Sequence, residues 1–129
     1  MSSSAIFHKF PQPLIFLSGN EKKIHEMTAI WKPEFEIQAR KIDLPEIQSD
    51  SVKEVVSQKL KRAYEITGWP VMCEDTGVYI DELNGFPGPL IKWYQKIGLE
   101  KIIAQCGGSK AYAETVIGYN NGTTETFTT

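Results

Sequence analysis

The stretch that most constrains this chain runs from Val71 to Pro89, Val-Met-Cys-Glu-Asp-Thr-Gly-Val-Tyr-Ile-Asp-Glu-Leu-Asn-Gly-Phe-Pro-Gly-Pro. It starts as a buried strand behind a Gly-Trp-Pro break, and its apolar run ends in two adjacent carboxylates, Glu74 and Asp75. Thr76 and Gly77 follow, then alternating Val78 and Ile80, then a Gly/Pro-rich loop that stiffens the backbone. An acidic pair closing a hydrophobic strand is unsuited to packing alone, because a buried carboxylate needs a cation beside it or a proton to share. Two readings stand open: a strand end whose carboxylates face water or a neighbouring lysine, and a site for metal binding and general-base chemistry.

The surroundings must decide, and composition narrows them. With 129 residues, 41% hydrophobic and 23% charged, the chain has the make-up of one soluble globular domain. A net charge of −2 argues against a nucleic-acid polymer as partner, so any anionic ligand must be met by a local group of lysines. The apolar run Leu14–Leu17 is too short for a membrane span. Cys73 and Cys106 form neither a zinc spacing nor a disulfide framework, which makes a reducing cytoplasmic setting the expectation. Met1–Pro13 reads as a loose lead-in whose Phe7 and Phe10 pack weakly on the body, and residues 14–129 as a single domain.

Leu14–Leu17 reads as a strand buried in a parallel or mixed sheet covered on both faces. Ser18-Gly19-Asn20 turns it into a helix with Asn20 as N-cap; Ile24, Met27 and Trp31 share one face, and Pro33 ends it. Lys22 and Lys23 occupy the first turn, where the helix dipole disfavours cations. They are either two solvated lysines or partners of an anion seated at the helix N-terminus. Phe35–Ile42 is a second strand and Asp43–Ile47 a loop, with Glu46 after a proline. Ser51-Val-Lys-Glu54 is a capping box opening a helix to about Ile66, which Gly68 and Pro70 terminate. Its core face holds Val52, Val55, Val56, Leu60, Ala63 and Tyr64, and Lys59 falls inside that arc. A lysine in an apolar stripe must snorkel outward or find an anion, as a structural salt bridge or a ligand contact. His25 reads as a surface histidine.

Beyond the organising stretch, Pro89 suits the first position of a short helix, Leu90–Lys96. Lys92, Trp93 and Tyr94 there could grip a nucleotide or pack into the core. Leu99–Gln105 is another helix, closed by Gly107-Gly108. Ala111–Tyr119 is a strand, Asn120-Asn121-Gly122 a hairpin turn and Thr123–Thr129 the returning strand. Glu46, Glu74 and Asp75 are hard oxygen donors without a histidine or thiolate cluster, which points to Mg²⁺, with Mn²⁺ as substitute. Carboxylates around such an ion, ringed by Lys22, Lys23, Lys59 and Lys92, describe a polyphosphate site in which one carboxylate deprotonates the attacking water.

Ser18-Gly19-Asn20-Glu21-Lys22-Lys23 resembles the N-terminal motif of the inosine triphosphate pyrophosphatase (Ham1-like) family. Lys41-Ile42-Asp43-Leu44-Pro45-Glu46, Gln58-Lys59, Glu74-Asp75-Thr76-Gly77 and Asn84 through Trp93 resemble its further blocks, in order, and most closely its eukaryotic branch. The resemblance covers about Leu14 to Tyr119. It implies an α/β fold with a mixed central sheet flanked by helices in an elongated, two-lobed Ham1/Maf-like architecture, usually a homodimer. It also implies hydrolysis of purine nucleoside triphosphates with abnormal bases (ITP, dITP, XTP) to monophosphate and pyrophosphate. Carried over by position, Ser18, Gly19, Asn20, Glu21, Lys22, Lys23 and Lys59 hold phosphates. Glu46 and Glu74 ligate Mg²⁺. Asp75 is the general base and touches the metal, while Glu74, Asp75, Thr76 and Lys92 also contact substrate. Family members continue past Thr129 with Phe-Gly-Trp/Tyr-Asp and Ser-His-Arg blocks that read the base, so the expectation is a C-terminally truncated form. Two functions follow: a nucleoside triphosphate pyrophosphatase, and a catalytically impaired nucleotide- and metal-binding or regulatory form that docks on a partner.

Overall fold

The computed structural model describes residues 13–31 and 36–129, except for the side chain of Trp31. The lead-in up to residue 12 with Phe7 and Phe10, the packing of Trp31, the stop at Pro33 and the strand start at Phe35 lie outside the described residues. Among the described residues six strands and four helices follow one another as β1 (Leu14–Ser18), α1 (Glu21–Trp31), β2 (Ile37–Lys41), α2 (Val52–Thr67), β3 (Val71–Ile80), β4 (Pro87–Gly88), α3 (Ile91–Tyr94), α4 (Leu99–Cys106), β5 (Ala111–Asn120) and β6 (Glu125–Thr128). The sheet order is β2-β1-β3-β5-β6. β1 runs parallel to β2 and β3, and the remaining pairs are antiparallel, so the sheet is mixed.

The apolar patterning dictates how the faces are covered. Leu14, Phe16 and Met72 form one cluster with Ile24 and Met27 of α1. Ile15, Leu17, Val71 and Cys73 form the opposite one with Val52, Val56, Leu60 and Ala63 of α2. Alternation along each strand thus hands one set to each helix. A third cluster, Ile80, Tyr94 and Cys106, gathers where the β3–β5 ribbon outruns β1 and carries α3 and α4, which makes the second lobe.

Helix ends follow their local chemistry. Asn20 Oδ1 accepts from the Lys22 and Lys23 amides at 2.9 and 3.3 Å, capping α1 as expected. Ser51 Oγ accepts from the Glu54 amide at 3.2 Å, but the capping box is only half closed. The Glu54 carboxylate takes the Ser49 hydroxyl instead, and Ser49 Oγ accepts the Ser51 N–H. Gly68 ends α2 in the left-handed conformation, φ 62°.

Two expectations need correction. Glu74 and Asp75 do not end a strand: β3 continues through them for ten residues because β5 pairs with its whole length. Pro89 is not the first helical residue either; it lies in a turn, Leu90 caps α3, and a 3-10 turn (Gln95–Ile97) replaces the rest of the expected helix.

Candidate active site

Strand topology positions the site. β1 lies between β2 and β3, and the two connecting helices cover opposite faces of the sheet, so the carboxyl ends of β1 and β3 flank a topological switch point. β5 occupies one edge of β3 throughout. The other edge pairs with β1 at Val71 and Met72 and with β4 at Val78 and Tyr79. Between these pairings the sheet is open, and Glu74, Asp75 and Thr76 form the floor of the opening. A cavity of about 900 Å³ lies here, walled by Ser18–Glu21 and Lys23 at the end of β1, by Lys41–Leu44 and Glu46 at the end of β2, by Lys59, and by Pro89, Ile91 and Lys92.

Adjacent residues on a strand point to opposite faces, and the two carboxylates accordingly meet different helices. Glu74, 6% exposed, faces α1, where Lys23 Nζ lies 2.8 Å from its Oε1. Asp75, 7% exposed, lies on the α2 face, in the same alternation as Val71 and Cys73. Its Oδ2 is buried without a hydrogen-bond partner. Burial pushes the Asp75 carboxyl up to about 6, with Lys59 pulling against it and Glu46 reinforcing it. The gap in the sheet lets both faces contribute to one cavity.

Lys59 resolves the puzzle of a cation in an apolar stripe. Its Nζ donates to the Glu74 carbonyl at 2.9 Å and lies 3.7 Å from Glu46 Oε1. Ser18 is buried and its Oγ accepts the Asn20 N–H at 3.1 Å, which fixes the turn. Gly19 has no side chain because a Cβ there would lie 2.8 Å from Asp43 Oδ1. Glu21 is exposed and pairs with Lys41 at 3.4 Å. Thr76 Oγ1 shares a hydrogen bond with Thr115 Oγ1 at 2.8 Å. Lys92 lines the cavity, with its Nζ 5.7 Å from the Trp93 ring centre.

The expected residues therefore gather with one exception: Lys22 is exposed and does not line the cavity. Trp93 is 56% exposed with Lys96 Nζ 4.2 Å from its ring centre, while Tyr94 packs inward against Phe86. Glu46, Glu74 and Asp75 share the cavity, yet among the described residues no three His, Cys, Asp or Glu side chains stand close enough together to hold a metal ion as they are. Lys41 and Asp43 also line the cavity and were assigned no role from sequence. The signal for them is their place at the carboxyl end of β2, where Lys41 stands opposite Ser18 in register.

The Ham1 family model matches residues 14–129. The chain is 39% identical over 115 residues to an inosine triphosphate pyrophosphatase of Schizosaccharomyces pombe, covering 86% of this chain and 61% of that protein. It is 40% identical over 107 residues to inosine triphosphate pyrophosphatase 2 of Trypanosoma cruzi, covering 80% and 55%. It thus spans little more than half the length of these curated relatives. Among solved structures, it is similar to the Ham1 protein of Staphylococcus aureus, with a TM-score of 0.68 at 21% identity over 88% of this chain and 67% of that one. A HAM1 protein from Coxiella burnetii gives 0.66 at 24% identity, with the same coverage. The switch-point cavity, the order of the motifs around it and the family match along nearly the whole chain agree: the chain belongs to the Ham1 family.

Proposed function

We propose that this chain is a Mg²⁺-dependent nucleoside triphosphate pyrophosphatase that converts ITP, dITP or XTP to the monophosphate and pyrophosphate. The observation that carries the reading is Asp75: a buried carboxylate on a cavity wall, with one oxygen unpartnered and its affinity for protons raised to about 6. A group with that pKa is ionised at neutral pH and still basic enough to take a proton from water. The names of the curated relatives supply the substrate class.

The donor set fits a hard divalent cation. Five carboxylates line the cavity (Glu21, Asp43, Glu46, Glu74, Asp75) against four lysines (Lys23, Lys41, Lys59, Lys92), and Asp75 Oδ2 is an oxygen with no partner. Glu46, Glu74 and Asp75 would hold Mg²⁺ or Mn²⁺, which would supply charge neutralisation for the polyphosphate. The Ser18–Glu21 turn with Lys23 and Lys92 would bind and orient phosphates, Thr76 would contact the substrate, and Lys59 would hold Glu46 and the β3 backbone in place. Asp75 would accept the proton of the attacking water. The same reading makes the protein a cytoplasmic homodimer with no membrane or nucleic-acid partner. Among the described residues no helix is long and apolar enough to cross a membrane.

The test is incubation of the full chain with ITP, XTP and ATP plus Mg²⁺, with products resolved by ion chromatography. Inosine monophosphate and pyrophosphate forming faster than the products of ATP, and lost in Asp75→Asn, is the expected result. Equal turnover by parent and variant would overturn the assignment of Asp75. No turnover of any nucleotide would leave the binding or regulatory form as the function.

A further inference from the structure

Every lysine near the floor of the cavity is already engaged, but not in the same way. Lys59 is 7% exposed and anchored to a main-chain carbonyl at 2.9 Å, so its ammonium is part of the fixed frame. Lys23 stands in the first turn of α1 with its side chain one-third exposed (33%), and its ammonium sits 2.8 Å from an oxygen of Glu74 whose side chain is only 7% exposed. Near Glu74 it therefore does what a metal ion would do: it compensates a buried carboxylate. A second cation cannot take the same oxygen while the ammonium remains, because two positive charges a few ångströms apart in a poorly solvated site repel strongly.

We infer that Lys23 is a resident cation that a divalent metal must displace from Glu74, so that metal and polyphosphate enter this site together. The inference rests on the metal-dependent reading above. A flexible four-carbon stem lets the Lys23 ammonium leave without moving α1. Once displaced, it has lost its 2.8 Å contact with Glu74 and still lines the cavity, where an incoming phosphate is the anion that compensates it. Free metal has no such compensation to offer. The site consequently discriminates against a divalent cation alone and favours the cation arriving with its phosphate chain. By linkage, each ligand raises the affinity for the other by the same factor.

Mn²⁺ alone is the probe, its free concentration read by electron paramagnetic resonance on the full chain. Lys23→Met removes the resident cation, and Mn²⁺ affinity should rise about tenfold. Lys41→Met deletes the same charge from the cavity wall but releases Glu21 rather than Glu74, and should change the affinity by less than about threefold. Equal affinity in parent and Lys23→Met, or an equal gain in both variants, would overturn the inference while leaving the metal-dependent reading standing. No Mn²⁺ binding to Lys23→Met would remove both. Should Lys23→Met fail to fold, the parent itself decides. Saturating Mn²⁺ should increase acylation of Lys23 by an amine-reactive ester, mapped by mass spectrometry, with Lys41 as internal reference. Unchanged labelling of Lys23 would overturn the inference.

Discussion

Asp75 is held at a cost to the fold. Its carboxyl is raised from 3.8 to about 6, mainly because burial disfavours its charge. The folded chain therefore binds the Asp75 proton more tightly than the unfolded chain does. Stability falls as pH rises through the window from about 4 to about 6, and the loss is complete above it. Asp75→Asn, measured by urea unfolding in a chelator, should be more stable than the parent at pH 7, with the gain vanishing towards pH 4, even as hydrolysis is lost. Lys59 is the largest influence drawing Asp75 back towards its ordinary value. Lys59→Met should therefore move the acidic limb of the pH–rate profile upwards, and a limb that stays in place would detach Lys59 from the base. At this scale much was legible: Asn20 and Ser51 as caps, and Lys59 as a cation out of place in its stripe, all follow from local rules. What was hidden is the burial of Glu74 and Asp75 inside a strand, because the lysines that compensate them come from helices distant in sequence.

The elements make the site by failing to cover one edge. β1 ends at Ser18, β4 pairs only at Val78 and Tyr79, and the floor between them is exposed to the cavity. The sequence showed the strands but not this opening, since Pro87–Gly88 carries no periodicity and its pairing depends on the turn before it. Holding that floor in register is the work of α2, which lies close on β5. A Cβ on Gly118 would come within 2.6 Å of Leu60 and 2.7 Å of Val56. Gly118→Val should cost about 1–3 kcal/mol in urea unfolding and weaken hydrolysis as α2 and Lys59 shift. Ser51→Ala, which removes the cap at the start of the same helix, should cost about 1 kcal/mol while leaving the hydrolysis rate of the folded chain unchanged.

At the scale of the molecule, the N-terminal layers carry most of the candidate site, and the ribbon-borne second lobe closes one wall through Pro89, Ile91 and Lys92. That lobe displays Trp93, Leu99 and Ile103, each more than half exposed. The proposed homodimer predicts a light-scattering mass of twice 14.6 kDa. A mass of 14.6 kDa at all concentrations would overturn the homodimer. The second lobe is implied by the family resemblance but is not legible in the residue pattern itself. Its cluster of Ile80, Tyr94 and Cys106 draws one residue from each of three separate elements or turns, so no single segment announces it.

The alternation of Glu74 and Asp75 across the sheet has a consequence of parity. Deleting Met72 would turn each carboxylate to the wrong helix, presenting Glu74 to α2 and Asp75 to Lys23. Deleting Met72 and Cys73 together would restore the sides, though not the register with β5. The placing of the two carboxylates is thus encoded in whether the count along β3 is odd or even, and an inherited change of length in that strand would keep it only in pairs.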